Sequence, residues 1–245
     1  MKQLKFFAQL CAVVLFLSSC NNAGDKKTAD TTADTTTTKK DTVATPPPAP
    51  VPAAPMLSMT ATFKVANYAK WKKGYDMHDS ARLANGLHNY VIARGTEDSN
   101  KVLVAVRMDD VNKAKAFAAD KDLKTRMAKS GVIGVPAFDF IETVMRDTTD
   151  IQKTVRLMIK STVKDWDIWK KGFDKHIQVR KDSGLVDRLV GHTIGDPTHI
   201  TLVFAVGDMA KAKAFLASKD LKDRMAESGV VGKPNMFFYK VVEKY

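Results

Sequence analysis

From Met59 to Ala66 the chain alternates, with Ala61, Phe63 and Val65 on one side, and Val155, Leu157 and Ile159 repeat the pattern. Alternation at period two predicts strands. Asn67 and Asp165 follow as N-caps, opening helices expected to run to about Asn85 and Ser183. Gly86 and Gly184 would end those helices in the left-handed conformation. Second strands are predicted over Asn89 to Thr96 and Asp187 to Ile194, turning through Glu97-Asp98-Ser99-Asn100 and Gly195-Asp196-Pro197-Thr198. The third strands, Val102-Leu103-Val104-Ala105-Val106 and Ile200 to Val206, are nearly continuous apolar runs, so both of their faces should be covered. Asp110 and Asp208 cap a second helix, with Ala114, Phe117, Ala212 and Phe215 inward and Lys113 and Lys115 in water. Asp120 and Ser218 cap a further turn or two carrying Leu123, Met127, Leu221 and Met225. Pro136 and Pro234 mark the start of a fourth strand with Phe138, Phe140, Phe237 and Phe238.

The two series are copies. Trp71-Lys72-Lys73-Gly74-Tyr75-Asp76-Met77-His78 returns as Trp169-Lys170-Lys171-Gly172-Phe173-Asp174-Lys175-His176, an offset of 98 residues that holds without a gap to Pro136 and Pro234. That is the signature of a duplicated domain. Each copy reads βαββαβ, a ferredoxin-like unit. The expected fold class is α+β: two antiparallel sheets packed face to face as one eight-stranded barrel within one chain, helices outside. The repeats span 56–146 and 153–245, joined by a linker at 147–152, and the expected state is a monomer containing its own pseudo-dimer.

Ahead of them, Lys2 and Lys5 precede an apolar run, Phe6 to Leu17, too short to span a bilayer, so 1–20 reads as a processing signal. Its end, Leu17-Ser18-Ser19-Cys20, resembles a bacterial lipobox, which implies lipidation of Cys20, a membrane anchor and a place in the cell envelope. Cys11 would leave with the signal, so the mature chain would have no disulfide and no thiolate site. Residues 21–55, rich in Thr, Asp and Pro, read as an extended tether. The chain carries a formal charge of +12, and without Lys2 and Lys5 the balance is +10. The tether's lysines and aspartates cancel, so this surplus sits on the repeats, where lysines decorate helix exteriors. It reads as solvated surface, and nucleic acid is not an expected partner.

The order of elements, the Trp-x-x-x-aromatic-Asp-x-His-x-x-x-Arg helix and the Lys-Ala-Phe helix resemble the dimeric α/β-barrel superfamily, with its antibiotic-biosynthesis monooxygenase-like branch. The resemblance covers both repeats. It implies a pocket between helices and sheet, and it spans cofactor-free oxygenases, haem-degrading enzymes and cyclase-like proteins, so it selects no activity.

At about 100° per residue, Trp71, Tyr75, His78 and Arg82 share one helical stripe, as do Trp169, Phe173, His176 and Arg180. The aromatics turn the stripe toward the sheet. Two readings stand. In one, the arginines pair with a carboxylate or helix carbonyls and the histidines bond to sheet backbone. In the other, the stripe lines a pocket where imidazole and guanidinium hold a carboxylate, enolate or phenolate, His78 or His176 accepting a proton. His192 and Arg188 replace Arg94 and Tyr90 in the second repeat, making its pocket the preferred one. Asp76 and Asp174 point away, and Gly74 and Gly172 serve close packing. His88, His192 and His199 show no ligand spacing, so no metal is expected. No cofactor is expected either, with haem on His78 or His176, and flavin, left open by the resemblance. The function read from this is a lipid-anchored envelope protein binding a small, anionic organic ligand. The alternatives are a cofactor-independent monooxygenase- or cyclase-like enzyme and a structural module of the envelope.

Overall fold

Strand register explains the architecture. In the computed structural model, which describes residues 55–245, β1 (Met56–Val65) pairs antiparallel with β3 (Lys101–Met108) on one side and β4 (Val132–Arg146) on the other. β2 (Leu87–Gly95) pairs with β3. The second repeat matches this with β5 (Val155–Val163), β6 (Leu185–Thr193), β7 (Asp196–Val206) and β8 (Val230–Lys244). Cys20, the signal-like segment and the tether up to residue 54 lie outside the described residues.

The long fourth strands join the repeats. The far half of β4 pairs with β6, Ile141 opposite Thr193, and the far half of β8 pairs with β2, Ala93 opposite Val241. The result is a closed barrel in the order β1-β3-β2-β8-β5-β7-β6-β4. Closure leaves no open edge, and the expected tandem ferredoxin-like α+β barrel is what the chain forms.

Helices pack on the outside of the barrel: α1 (Tyr68–Asp76), α2 (Asp79–Ala84), α3 (Val111–Ala119) and α4 (Lys121–Lys129), then α5 (Trp166–Lys175), α6 (Ile177–Asp182), α7 (Met209–Ala217) and α8 (Lys219–Glu227). Their expected caps are in place: Asn67 accepts from Lys70 N at 2.9 Å, Asp165 from Ile168 N at 2.8 Å and Asp110 from Lys113 N at 3.0 Å. Gly86 and Gly184 hold φ of +66° and +74° at the ends of α2 and α6.

Each strand face has its own core. Met59, Ala61, Phe63 and Val65 of β1 pack under the helices with Trp71, Val102, Val104 and Val106. The alternate residues of β1, Ser58 and Thr60, face the barrel lumen, whose centre is filled by Leu103, Met158, Phe237 and Tyr239. The apolar character of β3 and β7 thus has its expected cause, helices on one face and lumen on the other.

Two elements differ from the sequence reading. Pro136 and Pro234 lie inside β4 and β8, at bulges where the ladder to β1 and β5 shifts register, rather than at the strand starts. A proline lacks the N–H a ladder needs, and a bulge releases that demand. The motif helix is also not continuous: it stops at Asp76 and restarts at Asp79, and the second copy breaks between α5 and α6.

Candidate functional site

The helix break has an identifiable cause. Arg82 folds back and donates from Nη1 to the carbonyl of Tyr75 at 2.8 Å, and Arg180 does the same to Phe173 at 2.6 Å. That carbonyl would otherwise receive the N–H four residues on, so the side chain replaces a rung of the helical ladder. His78 N turns to Tyr75 O and His176 N to Phe173 O, each at 3.2 Å. Each histidine therefore stands at the N-terminal cap of the short second helix, with backbone angles outside the helical region.

Aromatic packing sets the stripe. Trp71 and Trp169 are buried against the sheet. Tyr68, Trp71 and Tyr75 succeed one another at 5.5 and 5.3 Å, and Trp166, Trp169 and Phe173 at 5.2 and 5.1 Å. The guanidiniums of Arg82 and Arg180 lie 3.6 Å over the rings of Tyr75 and Phe173.

Both arginines are buried, and both are fully engaged. Arg180 holds Asp187 with both branches, Nε to Oδ1 at 2.8 Å and Nη2 to Oδ2 at 2.6 Å. Arg82 meets Asn89 Oδ1 at 3.0 Å and Asp79 Oδ1 at 3.0 Å instead. Asn89 also accepts from the Tyr75 hydroxyl at 2.5 Å and donates to Asp79 at 2.6 Å. Position 187 is the copy of 89, and Ile177 is the copy of Asp79. Each repeat thus keeps one acid for its arginine and draws it from a different element. Of the two readings, these contacts fit the first, in which each arginine pairs with an internal carboxylate and a helix carbonyl.

Between helices and sheet each repeat nevertheless holds a cavity, about 100 Å³ in the second and 80 Å³ in the first. Trp169, Phe173, His176 and Arg180 reach the larger one, and Trp71, Tyr75, His78 and Arg82 the smaller, so the stripe residues do come together. The walls are otherwise mainly apolar, among them Ile159, Leu202, Phe204, Leu221 and Met236 in the second repeat. Gly74 and Gly172 allow this packing: a Cβ at either would fall on the side chain of Ser130 or Ser228, which line the cavities.

The histidines differ between repeats. His78 Nδ1 lies 3.3 Å from Arg126 Nη1. Desolvation, followed by the charges of Arg126 and Arg82, holds its imidazole below the ordinary histidine value. Arg224, the copy of Arg126, is instead drawn to Asp220 at 2.7 Å, so His176 lacks that cationic contact. Ser161 marks a second difference. It stands where the first repeat has Phe63, at a register shift of β5, and its buried hydroxyl lines the larger cavity with no hydrogen-bond partner among the described residues.

His192 does not join this site. Its ring packs edge-on against Trp166 at 4.8 Å and its Nδ1 lies 3.1 Å from the Thr193 carbonyl, outside the cavity. Arg188 leaves in the other direction: the register shift between Asp187 and Leu189 puts it on the face opposite His192, in the barrel lumen, where it bonds Asp147 at 2.9 Å. Both were expected on the wall that faces the helix. Ser161, Arg126 and Arg224 were not singled out by sequence reasoning. The mismatch of Ser161 with Phe63 across the 98-residue offset was the available signal.

Among the described residues no three His, Cys, Asp or Glu side chains gather as a metal site, and no helix is long and apolar enough to cross a membrane.

No protein-family model and no curated protein matches this chain. Solved structures do. A Fusobacterium nucleatum protein provisionally called a monooxygenase aligns with a TM-score of 0.51 at 13% identity, over 78% of this chain and 94% of that one. An anthrone oxidase-like protein aligns with a TM-score of 0.50 at 12% identity, over 78% and 92%. A Lactobacillus acidophilus protein, also provisionally a monooxygenase, aligns with a TM-score of 0.48 at 12% identity, over 77% and 94%. At such identities the likeness is one of fold: these structures share the closed α+β barrel that this chain builds from its two ferredoxin-like repeats.

Proposed function

We propose that the helix–sheet cavity of the second repeat binds a small, mainly apolar organic molecule with one acidic hydroxyl, on a protein anchored by Cys20 to a membrane of the bacterial envelope. The observation that carries the binding reading is the Ser161 hydroxyl, buried in an apolar wall without a partner among the described residues. An unsatisfied buried hydroxyl costs about 1–3 kcal/mol, which a ligand hydrogen bond would recover. The cavity suits one ring or a short branched chain rather than a large ligand. His176 and Arg224 line the same cavity and supply its polar groups. This narrows the expected anionic ligand to one whose acidity is a single hydroxyl. The lipobox-like Leu17 to Cys20 and the tether support the anchor.

The test is a titration with phenol, followed by calorimetry, on the wild type and on Ser161→Phe. The variant installs the first repeat's own residue, so the fold is expected to survive while binding falls at least tenfold. Equal binding by both proteins would refute the assignment. For the anchor, Cys20→Ala should abolish fatty-acid labelling and release the protein from membranes; labelling that persists would refute it.

A second reading, a cofactor-independent monooxygenase-like enzyme, draws on His176. An imidazole that lines the cavity is placed to take the proton of a bound hydroxyl. The fold likeness to monooxygenase-like proteins is compatible with it. Ligand-dependent oxygen uptake that disappears in His176→Ala, with binding retained, would establish it; binding without uptake would leave the cavity a binding site alone.

A further inference from the structure

A separate cavity opens at one end of the barrel lumen and owes nothing to the two helix–sheet cavities. It encloses about 370 Å³ and takes lining residues from all eight strands. Duplicated positions face each other across it: Ser58 with Arg156, Tyr90 with Arg188, Leu103 with Thr201, Ala105 with Val203, Arg146 with Lys244. The internal symmetry axis therefore runs through this space.

Divergence between the copies has left the space strongly basic. Arg107, Arg146, Arg156 and Arg188 line it with Lys244, and Asp147 is the acidic side chain among the lining residues. Asp147 is taken by Arg188 at 2.9 Å, while Arg188 also reaches Thr149 O at 2.7 Å. Arg107 and Arg146 are exposed at the rim and flank the Tyr90 ring at 4.9 and 5.1 Å; among the described residues Arg146 otherwise finds only the sulfur of Met56, at 3.3 Å. Arg156 is 8% exposed. Its Nη1 donates to the carbonyls of Lys153 and Val155, and it meets no carboxylate among the described residues. Burial is the main pressure against its charge, and Arg188 adds to it. A buried cation without an anion is costly. At the other end of the strands the lysines are matched, Lys64 with Asp98 at 2.9 Å and Lys160 with Asp139.

We propose that this end of the barrel is a binding site for a small single-headed organic anion, its carboxylate or phosphate on Arg156, the lumen arginine that meets no carboxylate among the described residues, and its apolar body against Leu103, Met158, Val203 and Tyr239. The volume lies in the range of small-molecule sites. Only Nη1 of Arg156 is engaged by backbone carbonyls, so its remaining N–H donors suit a planar or tetrahedral oxyanion, which accepts paired N–H donors, while Arg188 stays with Asp147. Arg107 and Arg146, flanking Tyr90 at the mouth, draw the anion in and make capture sensitive to salt.

Phenyl phosphate and octanoate, titrated calorimetrically into the purified full-length protein, test the proposal, with neutral phenol as competitor. Both anions should bind and raise the melting temperature, and excess phenol should leave their binding unchanged. Arg156→Ser, which installs the first repeat's residue and removes the buried charge, should keep the fold and weaken both anions at least tenfold. Arg156→Lys should fall between, since it keeps the charge and loses the fork. The exposed Arg146→Ala gives a second variant free of any folding penalty and should slow capture and flatten the salt dependence. Absence of binding by the wild type at millimolar anion, full affinity in Arg156→Ser, or displacement by phenol would each overturn it.

Discussion

Asp187→Asn is expected to destabilise the protein by about 3 kcal/mol, the lower end of the range for breaking one partner out of a buried ion pair. Arg180 is 6% exposed, and the Asp187 side chain is 10% exposed beside it, so solvent offers little compensation. The lower end applies because the asparagine oxygen still accepts from Nε and the Phe173 carbonyl still accepts from Nη1. The same change in the first repeat, Asp79→Asn, should cost only about 1 kcal/mol, because Asp79 is 47% exposed and Asn89 keeps two of the same contacts. For a folded part of this size, 1 kcal/mol corresponds to roughly 2–4 °C, so Asp187→Asn should lower the melting temperature by roughly 6–12 °C. The copy relation supplies a rescue. Ile177 is 45% exposed at the position of Asp79, so Ile177→Asp in the Asp187→Asn background rebuilds the first repeat's arrangement. About half the loss should return, while Ile177→Asp alone should be near neutral. Denaturant unfolding of the four proteins measures all these terms. Equal costs for Asp187→Asn and Asp79→Asn, or no rescue, would refute the claim that each arginine is tied to its own internal acid.

Removing the Arg126 guanidinium takes away a cation beside His78, so Arg126→Ala should raise the His78 pKa toward the ordinary histidine value, read from ring-proton shifts against pH. The sign follows from linkage: a histidine held low when folded stabilises the fold above its unfolded value, and that contribution is lost as pH falls through it; in Arg126→Ala the acid-side loss should shrink. An isolated fragment 153–245 would open both seams, β6 to β4 and β8 to β2, and bare the lumen face, so it should dimerise or aggregate; a stable monomer by light scattering would contradict the closed barrel. Gly172→Ala should cost about 1 kcal/mol, because overpacking against Ser228 exceeds the gain in helix propensity, and Gly172→Ala with Ser228→Gly should recover it in a thermal melt.

Periodicity and duplication carried most of the fold. Alternation in β1 named the residues that face the helices, and the caps at Asn67, Asp110 and Asp165 follow from local hydrogen bonding that needs no distant partner. The unbroken apolar runs of β3 and β7 required cover on both faces, and with two copies in one chain a barrel was the economical answer. The stripe of Trp169, Phe173, His176 and Arg180 was legible for the same reason, since helical spacing is a local property. What a side chain meets at the end of its reach is not. The carboxylate that holds Arg180 comes from a strand in the second repeat and largely from a helix in the first, so spacing along one helix could not name it. Nor could it show that this arginine breaks the helix beneath it by taking a backbone carbonyl. Arg188 and His192 sit four residues apart on one strand, yet a register shift between Asp187 and Leu189 lies beside Arg188 and the lumen receives it while His192 stays by Trp166. The basic lumen exists only because closure brings eight strand ends together, placing Arg107, Arg146, Arg156 and Arg188, scattered over two repeats, around one space that nothing local in the chain announces.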